Sequence, residues 1–330
     1  MNSLLKLVGL AAAAVVLSAC NQEATETSSG PELTKVVLMS DWYPQPEHGG
    51  FYQALAKGFY KDAGLDVEIR SGGGIRDIRP LVALRKVDIA IGTSDTTLIG
   101  VSRGLPLVFL APYFQHDPQC VMFHPELGVK TLADLDNKVV MMQASLSHAE
   151  YMTKIMKLNL NFIPLDYSIS RFATDKSFAQ QCFLTSEPVH LAAQGIEAEV
   201  IPLSESGFDP YRHLYTSKAF LDEYPEAAKA FTEASIKGWV DFMEGDPTPA
   251  LEAITAANPQ QQAELMTQAM AAMKKYHLVD GFSERGEVTG TYQKVRLNDQ
   301  IKALKALELI DPELDYQSAL PEAELPSQYQ

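Results

Sequence analysis

Positive charge is scarce: 27 Lys and Arg stand against 42 Asp and Glu, leaving −15 over 330 residues. Such a chain repels phosphate backbones, and its basic residues occur singly or in pairs such as Arg85-Lys86 and Lys274-Lys275. No nucleic-acid partner is expected. Cysteine is scarcer still, at three. Cys20, Cys120 and Cys182 cannot supply the four clustered ligands of a structural zinc site, and the seven histidines show no metal-like pairing. The sequence also lacks G-x-S-x-G, H-E-x-x-H and a G-K-[ST] phosphate loop. Neither metal nor cofactor is expected. Charged residues reach only 21% while hydrophobic residues make up 46%. Disorder and fibrous classes are therefore out, and there is core material for two lobes of ordinary domain size.

What is present begins with an export pattern. Residues 1–19 carry one charge, Lys6, then an apolar run over 7–17 and the small residues Ser18 and Ala19. The run is too short to span a bilayer permanently and reads as a secretory signal. Leu17-Ser18-Ala19-Cys20 resembles a bacterial lipobox, which implies that Cys20 is lipidated and becomes the mature N-terminus. A plain cleaved signal ending in Cys is the alternative. Residues 20–33, rich in Thr, Ser, Glu and Gly, read as a flexible tether. The expected location is outside the cytoplasm, facing the periplasm or cell exterior, with acyl chains on Cys20 holding the membrane. Cys120 and Cys182 are expected as free buried thiols rather than a bridge.

From Lys35 the pattern turns α/β. Strands are expected over 36–39, 65–69, 87–91 and 105–111, with helices over 51–63, 75–84 and 94–102 between them. A second unit begins near Cys120, with a helical turn at 131–135, strands at 138–142, 162–165, 181–184 and 198–201, and a helix over 147–158. Beyond about Leu214 the chain reads as mainly helical, over 217–224, 226–243, 247–257, 260–276 and 288–307. Residues 319–330 read as a frayed tail. Such alternation implies parallel pairing with helices on both faces.

Two segments invite a ligand. Ser71-Gly72-Gly73-Gly74 precedes a helix carrying Arg76 and Arg79, but a plain strand-to-helix turn is the favoured reading. Asp41-Trp42-Tyr43-Pro44-Gln45-Pro46-Glu47-His48-Gly49-Gly50-Phe51 follows a buried strand, where open α/β sheets bind ligands. Its rings either stack on a planar heterocycle or plug the top of the core. The residues leave both open.

The run from Trp42 through His48, then Gly50-Phe51-Tyr52-Gln53-Ala54-Leu55-Ala56-Lys57-Gly58-Phe59-Tyr60 and Gly64-Leu65-Asp66-Val67, resembles the thiamine-pyrimidine-precursor branch of the sulfonate/nitrate/taurine-type solute-binding proteins. Phe114-Gln115-His116-Asp117-Pro118-Gln119, His124-Pro125, Thr185-Ser186-Glu187-Pro188 (T-N-E-P in the family), Phe208-Asp209-Pro210-Tyr211 and Ala234-Ser235-Ile236-Lys237-Gly238-Trp239 extend the likeness. It covers roughly 36–259. The resemblance implies a two-lobed periplasmic-binding-protein fold of type II with a ligand cleft and a two-strand hinge. Lobe one would be 34–119 plus 214–318, and lobe two 120–213. It also implies a small-molecule ligand and, as partners, an ABC permease and its ATPase.

Carried over residue by residue, the resemblance makes Trp42 and Tyr43 ring-stacking residues and His48 a donor to a polar ligand edge. Thr93 and Ser94 would face the cleft from a helix start, with capping as the alternative. Gln115 would reach the ligand beside the crossover, and Ser145, Ser147 and His148 would open a helix N-terminus toward a polar group. Glu187 is expected at the carboxyl end of a strand, held extended by Pro188 and accepting from an aminopyrimidine. Fungal pyrimidine synthases share the fold but resemble enzymes built on lysine-bound pyridoxal phosphate and a cysteine-rich segment. With no cysteine cluster here, no enzymatic activity is expected. A riboflavin-like, sulfonate or nitrate solute, or a lipoprotein without a transport role, are the alternatives.

Overall fold

Apolar runs rich in β-branched and aromatic residues pair into two five-stranded sheets in the computed structural model, which describes residues 32–75 and 77–320. The signal at 1–19, Cys20, the tether through 31, Arg76 and the tail from 321 lie outside the described residues. The first sheet runs β2 (Leu65–Arg70), β1 (Thr34–Met39), β3 (Ile89–Thr93), β10 (Arg212–Ser217), β4 (Leu107–Phe114). The second runs β7 (Asn161–Ile163), β6 (Val139–Met141), β8 (Ala179–Phe183), β5 (Gln119–Phe123), β9 (Glu199–Pro202). β1 is parallel to β2 and β3, and β6 to β7 and β8, as expected for strands joined through helices. The two-lobed α/β expectation is met.

Uniform parallel pairing is not. β10 lies antiparallel between β3 and β4, and β5 lies antiparallel between β8 and β9. These are the strands by which the chain enters the second sheet and returns to the first. β10 also corrects the expectation of helix from about Leu214: all six of its residues are buried, so no alternation marks it in the sequence.

Eleven helices are described: α1 (Gly49–Ala56), α2 (Phe59–Asp62), α3 (Arg79–Ala83), α4 (Ser94–Ser102), α5 (Ser147–Lys154), α6 (Glu187–Ala193), α7 (Lys218–Glu223), α8 (Pro225–Glu244), α9 (Thr248–Ala257), α10 (Ala263–Lys275) and α11 (Lys294–Ala306). The helix expected over 51–63 divides at Gly58, whose φ of 75° is left-handed. The one expected over 75–84 shortens to α3, which starts beside Pro80. α10 packs on α6, so the helical C-terminal part also meets the helix that follows β8. Ala319 and Leu320 are buried, so the fraying expected from 319 does not begin there.

The closest helix contact joins α1 to α8. A Cβ on Gly50 would fall 2.2 Å from the Trp239 ring, and one on Gly49 2.3 Å from Phe242. Both positions need glycine for backbone approach. Trp239 is fully buried, stacks on Tyr113 at 5.4 Å and meets Phe51 edge-on at 5.6 Å. This aromatic cluster fixes the start of α1, and with it the loop that precedes α1.

Two crossovers link the sheets, 115–118 and 203–211. Asp117 N donates to Asp209 Oδ1 at 3.0 Å, tying one crossover to the other. His116 sits between Asp209 Oδ2 (2.6 Å) and Glu287 Oε2 (2.9 Å), and Arg296 Nη2 donates to Asp209 Oδ2 at 2.7 Å. Asp117 itself is buried: its Oδ1 accepts from Gln119 N at 2.8 Å, while its Oδ2 has no protein partner. Burial, only partly offset by Arg212 and the Gln119 N–H, pushes its carboxyl up to about 7. Between the ordinary value of 3.8 and about 7 the folded chain therefore holds a proton that the unfolded chain releases. Stability falls as pH rises through that window and levels off above it. Asp117→Asn keeps the Oδ1 acceptor and removes the charge. Its stability gain over wild type should be near zero at pH 4 and grow to a plateau above pH 7, on the order of a few kcal/mol. Urea unfolding of both proteins across that range measures it, and a pH-independent difference would contradict it.

Cys120 and Cys182 form a disulfide, correcting the expectation of free thiols. The pair is cross-strand in the β5–β8 register with Cα atoms 4.9 Å apart, within bridging distance. The sequence separation of 62 residues gives no hint of this. Replacing both by Ala should cost about 2–4 kcal/mol. Reductant should destabilise wild type by a similar amount and leave the double variant unchanged; intact mass with thiol labelling counts the bridge.

Candidate functional site

The loop leaving β1 at its carboxyl end is held by short bonds of its own making. Ser40 Oγ donates to Trp42 O at 2.7 Å, and His48 Nε2 lies 3.2 Å from Asp41 Oδ1. Arg212, the first residue of β10, donates from Nη2 to Asp41 Oδ2 and from Nε to the Tyr113 hydroxyl at 3.1 Å. Burial would raise the Asp41 carboxyl, but Arg212 and His48 outweigh it and hold it well below the usual range. An anchored ion pair thus closes one end of the cleft between the sheets.

Two more carboxyls face this pair. Glu47 accepts from the Thr185 hydroxyl across the cleft, and its Oε2 is buried without a partner among the described residues. Glu187 Oε2 accepts from Phe183 N at 2.7 Å. Burial pushes both carboxyls up; the Thr185 bond partly offsets this at Glu47, and the Phe183 bond at Glu187. The nearby Glu47 charge raises Glu187 further. Together with Trp42, Tyr167, Gln181 and Arg212 they line an inner chamber of about 250 Å³. An outer chamber of about 800 Å³ lies beside it, lined by Gly74, Ile75, Gln143 and Ser145 among others. Trp42 and Tyr167 border both chambers. The inner chamber offers an aromatic wall, carboxyl acceptors and one guanidinium, a donor-and-acceptor set suited to a small polar ring.

Of the residues expected at the site, Trp42 and Glu187 line the inner chamber and Ser145 the outer one. Glu187 opens α6 rather than standing extended after the strand, because Pro188 falls in the first helical turn, where its missing N–H costs nothing. Tyr43 lies edge-on to Trp42 at 5.6 Å, over Gly73, and lines neither chamber. His48 stands behind Asp41 as its partner. The other five are bound into packing. Thr93 Oγ1 is 2.9 Å from Thr96 Oγ1, and Ser94 Oγ donates to Gln300 at 2.8 Å and accepts from Tyr211 N at 2.9 Å. Gln115 Nε2 donates to Val288 O at 2.7 Å. Ser147 is buried in the first turn of α5, and His148 packs edge-on against Phe208 at 5.2 Å, its pKa lowered by burial.

Asp41, Glu47, Tyr167, Gln181 and Arg212 were not singled out by the sequence. Asp41 and Glu47 sit inside the aromatic motif, where two prolines fix a loop that buries a carboxyl, so a signal existed. Arg212 directly follows Phe208-Asp209-Pro210-Tyr211. Tyr167 lies in a polar stretch with no periodicity and carries none.

Known proteins share this chain's sequence pattern and fold. The formylaminopyrimidine-binding protein of Halalkalibacterium halodurans is 25% identical over 261 residues, covering 76% of this chain and 78% of that one. The 4-amino-5-hydroxymethyl-2-methylpyrimidine phosphate synthase THI11 of Saccharomyces cerevisiae is 31% identical over 77 residues, 23% of each chain. Among solved structures, the periplasmic aliphatic sulphonate-binding protein SsuA of Escherichia coli superposes with a TM-score of 0.64 at 10% identity, covering 91% of this chain and 96% of that one. The last likeness shows that this chain shares its fold with that periplasmic binding protein. The NMT1/THI5-like family profile matches residues 45–250, more than half of the sequence, and the chain belongs to that family.

Proposed function

We propose that this chain is the lipid-anchored extracytoplasmic receptor of an ABC importer and captures an aminopyrimidine precursor of thiamine in the inner chamber. The observation that carries this is the buried Glu47 and half-buried Glu187 beside the Trp42 indole, with Glu47 Oε2 free of any protein partner among the described residues. An aminopyrimidine presents an exocyclic NH₂ next to ring nitrogens. A carboxylate accepts from the amine, and a carboxyl whose pKa burial has raised donates to a ring nitrogen. A sulfonate or nitrate would instead face Asp41, Glu47 and Glu187, with the Arg212 guanidinium already engaged by Asp41. The formylaminopyrimidine-binding relative supports the same solute class.

The lobe around the first sheet and the lobe around the second, divided at the crossovers 115–118 and 203–211, would close on the solute by bending there. The loaded receptor would then dock on the permease driven by its ATPase. The cation lining the chamber is Arg212, and a guanidinium does not form the aldehyde imine that a lysine amine forms, which supports binding rather than catalysis. The Cys120–Cys182 bridge suits the oxidising compartment to which a signal over 1–19 would send the chain.

Titration calorimetry with 4-amino-5-hydroxymethyl-2-methylpyrimidine tests the site. Glu187→Gln should keep the circular dichroism spectrum and weaken binding by about 1.5–3 kcal/mol. Equal affinities would remove Glu187 from the site. In a thermal-shift panel of aminopyrimidines, flavins, sulfonates and nitrate, stabilisation confined to the anions would overturn the pyrimidine reading.

The anchor has its own test. Cys20→Ala should abolish acyl labelling and release the exported protein from the detergent phase or leave it uncleaved. Unchanged labelling and partition would show that Cys20 is not the lipidated residue.

A further inference from the structure

Two aromatic rings from different sheets meet at the mouth of the inner chamber. Trp42 follows β1 and Tyr167 follows β7; their centroids are 5.9 Å apart and their planes 30° apart. Both rings border both chambers, as do Asp41 and Leu165, so the stacked pair is the aromatic part of the wall between them. A third ring inserted between two others needs about 7 Å between the outer centroids, two contacts of roughly 3.5 Å each. At 5.9 Å the pair is closed upon itself and leaves no room for a ring in its midst.

The surroundings of Tyr167 show that it is held in this position. Its φ of 58° is left-handed, a conformation unfavourable to a bulky side chain. Asp166 Oδ1 accepts from Ser168 N at 2.9 Å, and Gln180 Nε2 donates to Ser168 O at 2.9 Å. Gln180 belongs to β8, next to Gln181 of the chamber lining. Tyr167 as a whole is 65% exposed, which leaves solvent beside it into which the ring can turn.

We infer that Tyr167 is the gate of the inner chamber. Stacked on Trp42, it encloses a solute of one ring with short substituents, and it must leave Trp42 for the solute to enter or depart. It also sets an upper size. About 250 Å³ falls below the roughly 300–1,000 Å³ of sites for larger ligands, so a fused three-ring solute needs the wall removed and the outer chamber joined. The identity of the enclosed solute rests on the aminopyrimidine reading; the gate itself does not.

Tryptophan emission tests the gate with and without a solute. The chain has two tryptophans, and Trp239 is fully buried, so acrylamide quenching reports Trp42. In ligand-free protein, Tyr167→Ala should raise the quenching constant about twofold, and Tyr167→Phe, which keeps the ring, should restore most of the protection. Stopped-flow release of 4-amino-5-hydroxymethyl-2-methylpyrimidine should be about 2- to 10-fold faster in Tyr167→Ala, with Tyr167→Phe again rescuing it. Riboflavin affinity should rise in the Ala variant relative to wild type. Equal quenching in wild type and Tyr167→Ala overturns the gate whatever binds, as do equal release rates with riboflavin affinity unchanged. If wild type fails to bind the pyrimidine while the quenching difference persists, the solute reading falls and the gate stands.

Discussion

A buried guanidinium governs the cleft. Arg212 lies at the start of β10, where the chain returns from the second sheet to the first, and its charge is removed from water. A buried charge costs several kcal/mol unless a partner of opposite sign meets it. Asp41 is that partner, reinforced by His48, and the Tyr113 hydroxyl accepts from Nε. The pairing pins the loop after β1 to the end of a crossover, so Trp42 and Glu47 hold fixed positions. It also decides the electrostatics of the chamber. With Arg212 engaged by Asp41, burial dominates at Glu47 and Glu187 and raises both carboxyls.

The other half of that positioning is steric. Gly49 and Gly50 bring the start of α1 against Trp239 and Phe242. Gly238 answers from α8, where a Cβ would fall 2.2 Å from Gly50 O. A Gly-Gly pair brings no side chain of its own to hold a loop. In the fold it is a point of rigid approach, and the segment between β1 and α1 is fixed at both ends. The same motif therefore serves the core and the cleft, which answers the question its residues left open: Trp42 faces the chambers, while Phe51 is buried in the core.

Strands with clear apolar runs beside a helix were legible: β1, β2, β3 and the long α8 match their sequence patterns. β10 was not, because a fully buried strand holding Arg212 and His213 has neither alternation nor an apolar run. Its polar groups are paired inside the fold, as with His213 between Thr97 and Tyr292, and pairing of that kind is invisible to periodicity. The site was legible in part for a related reason. Trp42 and Glu187 announce themselves by residue type beside strand ends. Ser94 and Gln115 carry the same polar chemistry, but they join α11 to α4 and the segment around Val288 to the first crossover. Composition cannot tell a hydrogen bond offered to a ligand from one made to the C-terminal chain. Cys120 and Cys182 are a third case, since only sheet register brings them together.

Register also explains how one strand unites the working parts of the cleft. Along β8, Gln180 holds the Tyr167 loop, Gln181 lines the chamber and donates to Gln119 at 2.7 Å, and Cys182 is bridged to Cys120 beside the first crossover. Phe183 N then fixes Glu187, and Thr185 reaches across to Glu47. These groups sit on one short strand and the turn that follows it, so they cannot move independently. A displacement of β8 relative to β1 separates Tyr167 from Trp42 and Thr185 from Glu47 together, while the covalent bridge keeps β8 in step with β5 and the crossover. In the proposed receptor, opening of the cleft would then be a single concerted event rather than a series of local ones, which is the behaviour that a protein with an open and a closed state requires.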